Sequence, residues 1–224
     1  ETRKDGNGDI YGQRINAPGV AQWAENGVPL VTGPSSNNSG DYIAQLVGDG
    51  AGGAIVALED NRNADGTLDP GFGKVWAQRV SGGGTALWGN GVPVGAGPYA
   101  HGNFVVVSDG AGGAIVEWQD GSVFGDWNIS AQRLNGAGVA QWGGGVLVCG
   151  AAGQQTLPGI AADGMGGAII GWTDSRTDAG DVCAQRVSPD GIAGAESFCM
   201  SWTPNGVGVS MAVGLQDQVV AVPD

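Results

Sequence analysis

Three loops in this sequence carry oxygen-bearing side chains at nearly alternate positions. Asp5, Asn7 and Asp9 stand in "KDGNGD". Asn61, Asn63, Asp65 and Asp69 stand in "DNRNADGTLD", and Asp174, Asp178 and Asp181 in "DSRTDAGD". Asp and Asn around a Gly turn aim several oxygens at one point, which suits a hard cation such as Ca²⁺ with its roughly six to eight oxygen ligands. Calcium is therefore the one cofactor the residues point to, best placed at Asn61 to Asp69. None of the loops is an EF-hand, because the bidentate Glu and flanking helices are missing. The plainer account is that Asp, Asn and Gly make good turns.

Other chemistry is thinly supported. His101 is the single histidine, and no motif places a Ser or Cys nucleophile beside it. "GDGAGG" is glycine-rich but lacks the Lys and following helix of a phosphate loop. Carboxylates from distant segments could meet as a glycosidase pair, although no spacing argues for it.

A formal net charge of −13 disfavours nucleic acid as a partner, since an acidic surface repels phosphates. The charge suits solubility and divalent cations. No run of 18 apolar residues exists, so no helical membrane span is expected. The chain begins at Glu1 rather than Met, which reads as a mature product or part of a longer protein. Cys149, Cys183 and Cys199 show no zinc spacing and allow one intrachain disulfide at most. Cys183 and Cys199 fall in one repeat and form the candidate pair. Buried free thiols are the alternative for all three.

The positioning elements come from a repeat. Gln-Arg occurs with Gln at positions 13, 78, 132 and 185, in steps of 65, 54 and 53. Each Arg is followed five residues on by Gly19, Gly84, Gly138 or Gly191. Four further on come Trp23, Trp88 and Trp142, then Ala195 in the last copy. "GDGAGGAIVALED", "SDGAGGAIVEWQD" and "ADGMGGAIIGWTD" recur on the same period. A repeated unit of about 55 residues signals a propeller or solenoid built of repeated supersecondary units.

One copy shows the unit. "NFVVVSDG" is an apolar run closed by a hairpin signal, and "GGAIVEW" returns from it. "WNISAQRL" is a third strand, with Ile129, Ala131 and Arg133 on one face and Asn128, Ser130, Gln132 and Leu134 on the other. "GVLVCG" is a fourth. We therefore expect an all-β fold: a single β-propeller domain over residues 1–224. Its four blades cover about 1–59, 60–119, 120–173 and 174–224, with four antiparallel strands each. The ending "VVAVPD", Val219 to Asp224, aligns with Ile115 to Asp120 and would complete the first unit. That closes a ring of four, or fits a four-blade fragment of a larger propeller.

The repeated residues read as framework. Gly-Gly-Ala would give room where inner strands converge on an axis. Trp23, Trp88 and Trp142, with Trp118 and Trp172, would pack between sheets. Trp76 and Trp127 fall outside that pattern and are the candidate exposed ligand platforms. Arg14, Arg79, Arg133 and Arg186 would clamp the strand-ending acids Asp60, Asp120 and Asp174 across a hairpin. The other account is a ring of Arg binding a carboxylated ligand.

"DGxGGAIVxWxDxR" followed by "DIYxQRV", a Gly and a Trp resembles repeats of large secreted or surface proteins of bacteria. Gly112 to Val116, Asp9 to Arg14 and Trp142 carry the likeness, which covers nearly all of the chain. Kelch repeats share the period, but their glycine pair follows a strand instead of preceding one. The resemblance implies β-propeller architecture in an extracellular or cell-surface setting, mostly without an assigned activity. The expected function is a non-catalytic binding or structural module presenting loops to a protein or glycan partner. The alternatives are a polysaccharide-active hydrolase or lyase with acids near the axis, and a structural subunit of a surface assembly. One cluster of polar residues that breaks the repeat would favour an enzyme.

Overall fold

Turn chemistry decides where the strands stop. The computed structural model describes residues 9–32, 44–60, 73–95, 101–121, 126–176, 180–194 and 207–210, and every regular element among them is a β-strand. Strands β1 (Ile10–Gly12) and β2 (Val28–Val31) form an antiparallel pair. Strands β3 (Ala44–Gly48), β4 (Ala54–Asp60), β5 (Lys74–Val80) and β6 (Val92–Pro93) form a four-stranded sheet in chain order. A second such sheet contains β7 (His101–Ser108), β8 (Ala114–Gly121), β9 (Trp127–Leu134) and β10 (Val146–Cys149). A third contains β11 (Gln155–Ala162), β12 (Ala168–Asp174), β13 (Asp181–Val187) and β14 (Val207–Ser210). All the pairings are antiparallel, so each sheet is a simple meander, and the four-strand unit expected over 103–150 is β7 to β10. The repeat boundaries near 60, 120 and 174 fall between the second and third strands of each sheet. The strand expected at Val219 to Asp224 lies outside the described residues.

The sheets stack in chain order through their faces. Val56, Leu58, Trp76 and Val80 meet Leu30 and Val31 in one apolar core. Ile55, Ala57, Val75 and Ala77 meet Phe104, Val106, Val116, Trp118 and Leu134 in the next. Ile115, Ile129 and Ala131 meet Ile160, Ile170 and Trp172 in the third. Successive strand residues point to opposite faces, so the pair Ile115-Val116 divides between two cores. Both faces of β9 are buried, which explains a strand without a solvated side. Ile169 is the exception among the aliphatic pairs and is 38 % exposed, on a face against which no described core cluster packs.

The glycine-rich phrase is a turn, and its reason is more local than crowding at an axis. Asp109 N–H bonds to Gly113 O at 3.1 Å, closing a loop longer than a two-residue hairpin. Gly110 and Gly112 have φ of 74° and 82°, in the left-handed region. Gly113 has no room for a side chain. An added Cβ would fall 2.1 Å from Leu134 O, at the end of its own neighbouring strand β9. Gly53 and Gly167 meet Val80 O and Val187 O in the same way. Gly113→Ala is therefore expected to destabilise the fold by about 1–3 kcal/mol. Gly48→Ala, where nothing lies within 4 Å, is expected to be near neutral. Equal urea midpoints for the two variants would refute the account.

Candidate functional site

Antiparallel register sets the partner of each repeated Arg. Arg79, Arg133 and Arg186 are penultimate in their strands and stand opposite Ile55, Ile115 and Ile169, near the start of the preceding strand. The acid within reach is the one that opens the turn. Arg79 Nε and Nη2 donate to Asp49 Oδ2 at 3.1 and 3.0 Å. Arg133 does the same to Asp109 at 3.2 and 3.1 Å, and Arg186 to Asp163 at 3.0 and 2.6 Å. The expected clamp onto the strand-ending acids is corrected: Asp60 stands at the far end of its hairpin, opposite Lys74. Asp120 instead accepts from Ser130 Oγ at 3.2 Å. The second oxygen of each turn acid is also engaged. Asp49 Oδ1 accepts from Ala51 and Gly53 N–H, both at 2.8 Å, and Asp109 and Asp163 repeat the pattern. Burial raises the Asp49 and Asp163 carboxyls, but these N–H donors and the guanidinium outweigh it and hold both below the usual range.

The Gln before each Arg has a role that sequence reasoning missed. Gln78 Oε1 accepts from Arg79 N–H at 2.9 Å and from Trp88 N–H at 3.0 Å. Its Nε2 donates to Gly89 O at 2.8 Å and, across the sheet boundary, to Leu30 O at 3.0 Å. Gln132 staples Arg133, Trp142 and Gly143 in the same way. The fixed ten-residue step from Gln to Trp was the available signal. Each Trp then reaches forward: Trp23, Trp88 and Trp142 Nε1 donate to Gly82, Gly136 and Pro189 O at 3.0, 3.2 and 2.9 Å. Arg14 and Arg79 Nη1 join them on Gly82 and Gly136 O at 3.1 and 2.8 Å. The repeated polar residues thus serve the scaffold.

The proposed platforms separate. Trp76 is only 5 % exposed, inside the core around Leu58 and Val80, so it is not a surface platform. Trp127 is half-buried at the start of β9, with its ring 3.6 Å from where a Gly102 Cβ would stand. Of the residues expected as calcium ligands, Asp5, Asn7, Asn61, Asn63, Asp65, Asp69 and Asp178 lie outside the described residues. Asp9 and Asp181 are buried. Asp174 is committed to Arg176 and Trp172: Arg176 Nε donates to Oδ1 at 2.9 Å and Trp172 Nε1 to Oδ2 at 2.8 Å. Among the described residues no group of three or more His, Cys, Asp or Glu could hold a metal. Cys183 carries a free thiol instead of the expected bond, and Cys199 lies outside the described residues.

A polar break in the repeat lies between the β7–β10 and β11–β14 sheets. Glu117 stands where the sister strands carry Ala57 and Gly171, opposite Val105 and Ala131. It is fully buried, and neither carboxyl oxygen has a hydrogen-bond partner among the described residues. Burial pushes its pKa well above the usual carboxylate range. Gln119, two residues on and so on the same face, accepts from Asn103 and donates to Gln155 O at 3.3 Å. Farther along, Arg176 Nη2 lies 3.5 Å from Cys149 Sγ, which lies 3.9 Å from Asp174 Oδ2. Burial raises Asp174, but Arg176 and Trp172 overcome it and keep the carboxyl below its ordinary range. The corresponding gap between the β3–β6 and β7–β10 sheets is lined by the apolar residues of its core. No protein-family model and no curated protein matches this chain.

Proposed function

We propose that the chain is a non-catalytic binding or structural module of the β-propeller type, from an extracellular or cell-surface setting, and that its turns meet a protein partner. The stacked meanders support the blade reading. So do contacts among first strands, β3 with β7 and β7 with β11, as the inner strands of neighbouring blades would make. The observation that carries the functional reading is the division of labour in the repeat. Its polar residues are consumed internally, while three of the four turns that follow the Gln-Arg strands offer an aliphatic tip, the turn after β5 carrying Thr85 instead. Val20, Val139 and Ile192 hold equivalent positions and are 55, 56 and 48 % exposed. Exposed apolar tips suit a protein surface better than a glycan, whose hydroxyls call for polar donors and aromatic faces.

The observation on the enzyme side is Glu117, a carboxyl whose pKa burial raises, as a general acid requires. Its complete enclosure favours the binding reading. The test compares the wild type with a Val20→Ser, Val139→Ser, Ile192→Ser variant of unchanged circular dichroism. Both are offered to surface-protein and polysaccharide extracts. Protein capture by the wild type, lost by at least about tenfold in the variant, is expected from removing three apolar anchors. Turnover of a polysaccharide by the wild type, abolished in Glu117→Gln, would replace this reading with the enzyme.

A further inference from the structure

The first unit departs from its sisters at three residues. Ile15 is 57 % exposed, whereas Val80, Leu134 and Val187, which follow the sister Arg residues, are at most 1 % exposed. Those three are covered by a hairpin neighbour, since they pair with Ala54, Ala114 and Ala168 at the starts of β4, β8 and β12. Leu46 in β3 is 68 % exposed, whereas Val106 and Ile160, at the same register position in β7 and β11, are 7 and 8 % exposed. Leu46 shares its face with Val56, which packs on Leu30 and Val31 of the first unit. Arg14 is the third residue. Its Nη1 donates to Gly82 O beside the Trp23 indole, just as Arg79 Nη1 donates to Gly136 O beside Trp88. The guanidinium is thus held in the pose of its sisters. In the sisters the opposite edge grips a turn aspartate, and among the described residues Arg14 has no such carboxylate. One cause joins the three departures. The β1–β2 sheet has two strands where the other sheets have four, and elsewhere it is the first two strands and their Asp turn that cover these positions.

We propose that Arg14, Ile15 and Leu46 form a docking site for a β-hairpin of a partner protein whose turn opens with aspartate. The inference rests on the reading of this chain as a protein-binding module and names the chemistry of its partner. The turn carboxylate takes the open Nε and Nη2 edge of Arg14, and apolar strand residues cover Ile15 and Leu46. The charge pair selects the occupant, because two parallel N–H donors match a carboxylate better than any neutral acceptor. Burial of the two aliphatic side chains supplies affinity. Three occupied examples stand in the same molecule: Asp49 on Arg79, Asp109 on Arg133 and Asp163 on Arg186. Those same contacts argue against a second copy of this chain as the donor, since each of these turn acids already holds its own Arg.

The probe is a synthetic peptide with the sequence of residues 103–120, the hairpin whose turn opens at Asp109. Titrated calorimetrically into the full chain, it should bind with a Kd below about 1 mM. Asp109→Asn in the peptide, and Arg14→Met or Leu46→Ser in the chain, should each weaken binding by at least about tenfold. Leu147→Ser, which alters an exposed leucine of β10, should leave binding unchanged. Arg14→Met should also leave the Tm of the free chain within about 2 °C of the wild type, because no turn acid of the chain depends on it. A peptide that does not bind, or that binds Arg14→Met as well as the wild type, overturns the proposal. A Tm loss in Arg14→Met as large as that in Arg133→Met also overturns it, since residues 211–224 or another part of the chain would then supply the acid. So does a dimer in solution that Arg14→Met dissolves, which would name a second copy. Capture of a surface protein without binding of the peptide removes this inference alone and leaves the proposed function standing.

Discussion

Replacing Glu117 by Gln is expected to stabilise this protein at pH 8 and to raise its Tm by several degrees. A carboxyl that is fully buried without a hydrogen-bond partner among the described residues is held in the fold by keeping its proton. In the unfolded chain the same group ionises near its ordinary value of 4.5. The raised folded pKa means that Glu117 costs nothing in charge below about pH 4.5 and destabilises progressively as the pH climbs toward the folded value. Glu117→Gln removes that slope, so its advantage should shrink toward zero near pH 4. Glu117→Ala, which copies Ala57 of the preceding sheet, should lose the slope too, offset by a small cavity. Melting curves at half-unit intervals from pH 4 to 9 decide the matter. A Tm difference independent of pH would mean that Glu117 is ionised and paired in the fold.

The opposite sign is expected at the turn acids. Asp109→Ala should destabilise by about 3–5 kcal/mol, the largest loss expected from any single polar substitution here. One carboxylate receives two backbone N–H groups and a bidentate guanidinium, so its removal strands all of them in a largely buried turn. Arg133→Met should cost less, about 1–3 kcal/mol, because Asp109 keeps its backbone donors. A double-mutant cycle should return a coupling of about 1–3 kcal/mol between the two. A coupling near zero would release Arg133 from the scaffold and reopen a ligand role for the repeated Arg. The sister acids Asp49 and Asp163 have lowered folded pKa values, so their contribution is complete above the unfolded carboxylate pKa and fades as acid is added through the lower folded one. Stability should therefore fall on the acid side through the turns and on the alkaline side through Glu117.

The strands were legible because Asp-Gly and Gly-Gly punctuate them at fixed intervals, and β7 to β10 fall where the apolar runs and turns place them. The error over Arg79 has a geometric cause. Both Asp49 and Asp60 recur with the period, so periodicity could not choose between them. Antiparallel direction could, since Asp60 lies five residues from Ile55, the register partner of Arg79, or roughly 17 Å along the strand. Trp76 was misread for a related reason. It does not recur, yet non-recurrence says nothing of exposure: its face of β5 packs on the core shared with Leu30 and Val31. Glu117 was invisible because nothing in "AIVEWQD" tells which face of β8 meets a neighbouring sheet.

The forward reach of each Trp makes the molecule directional in time as well as space. Trp23, Trp88 and Trp142 each donate to a carbonyl that lies 47 to 59 residues downstream. On a ribosome that acceptor emerges later than the donor, by seconds at ordinary synthesis rates. Each of these three units therefore leaves the exit tunnel with its indole acceptor still to come and is finished by its successor. Assembly proceeds like a zip fastener run from the N-terminal side, each tooth seating the one before it. A halted ribosome would display one unfinished tooth, and that is where a chaperone would find its grip.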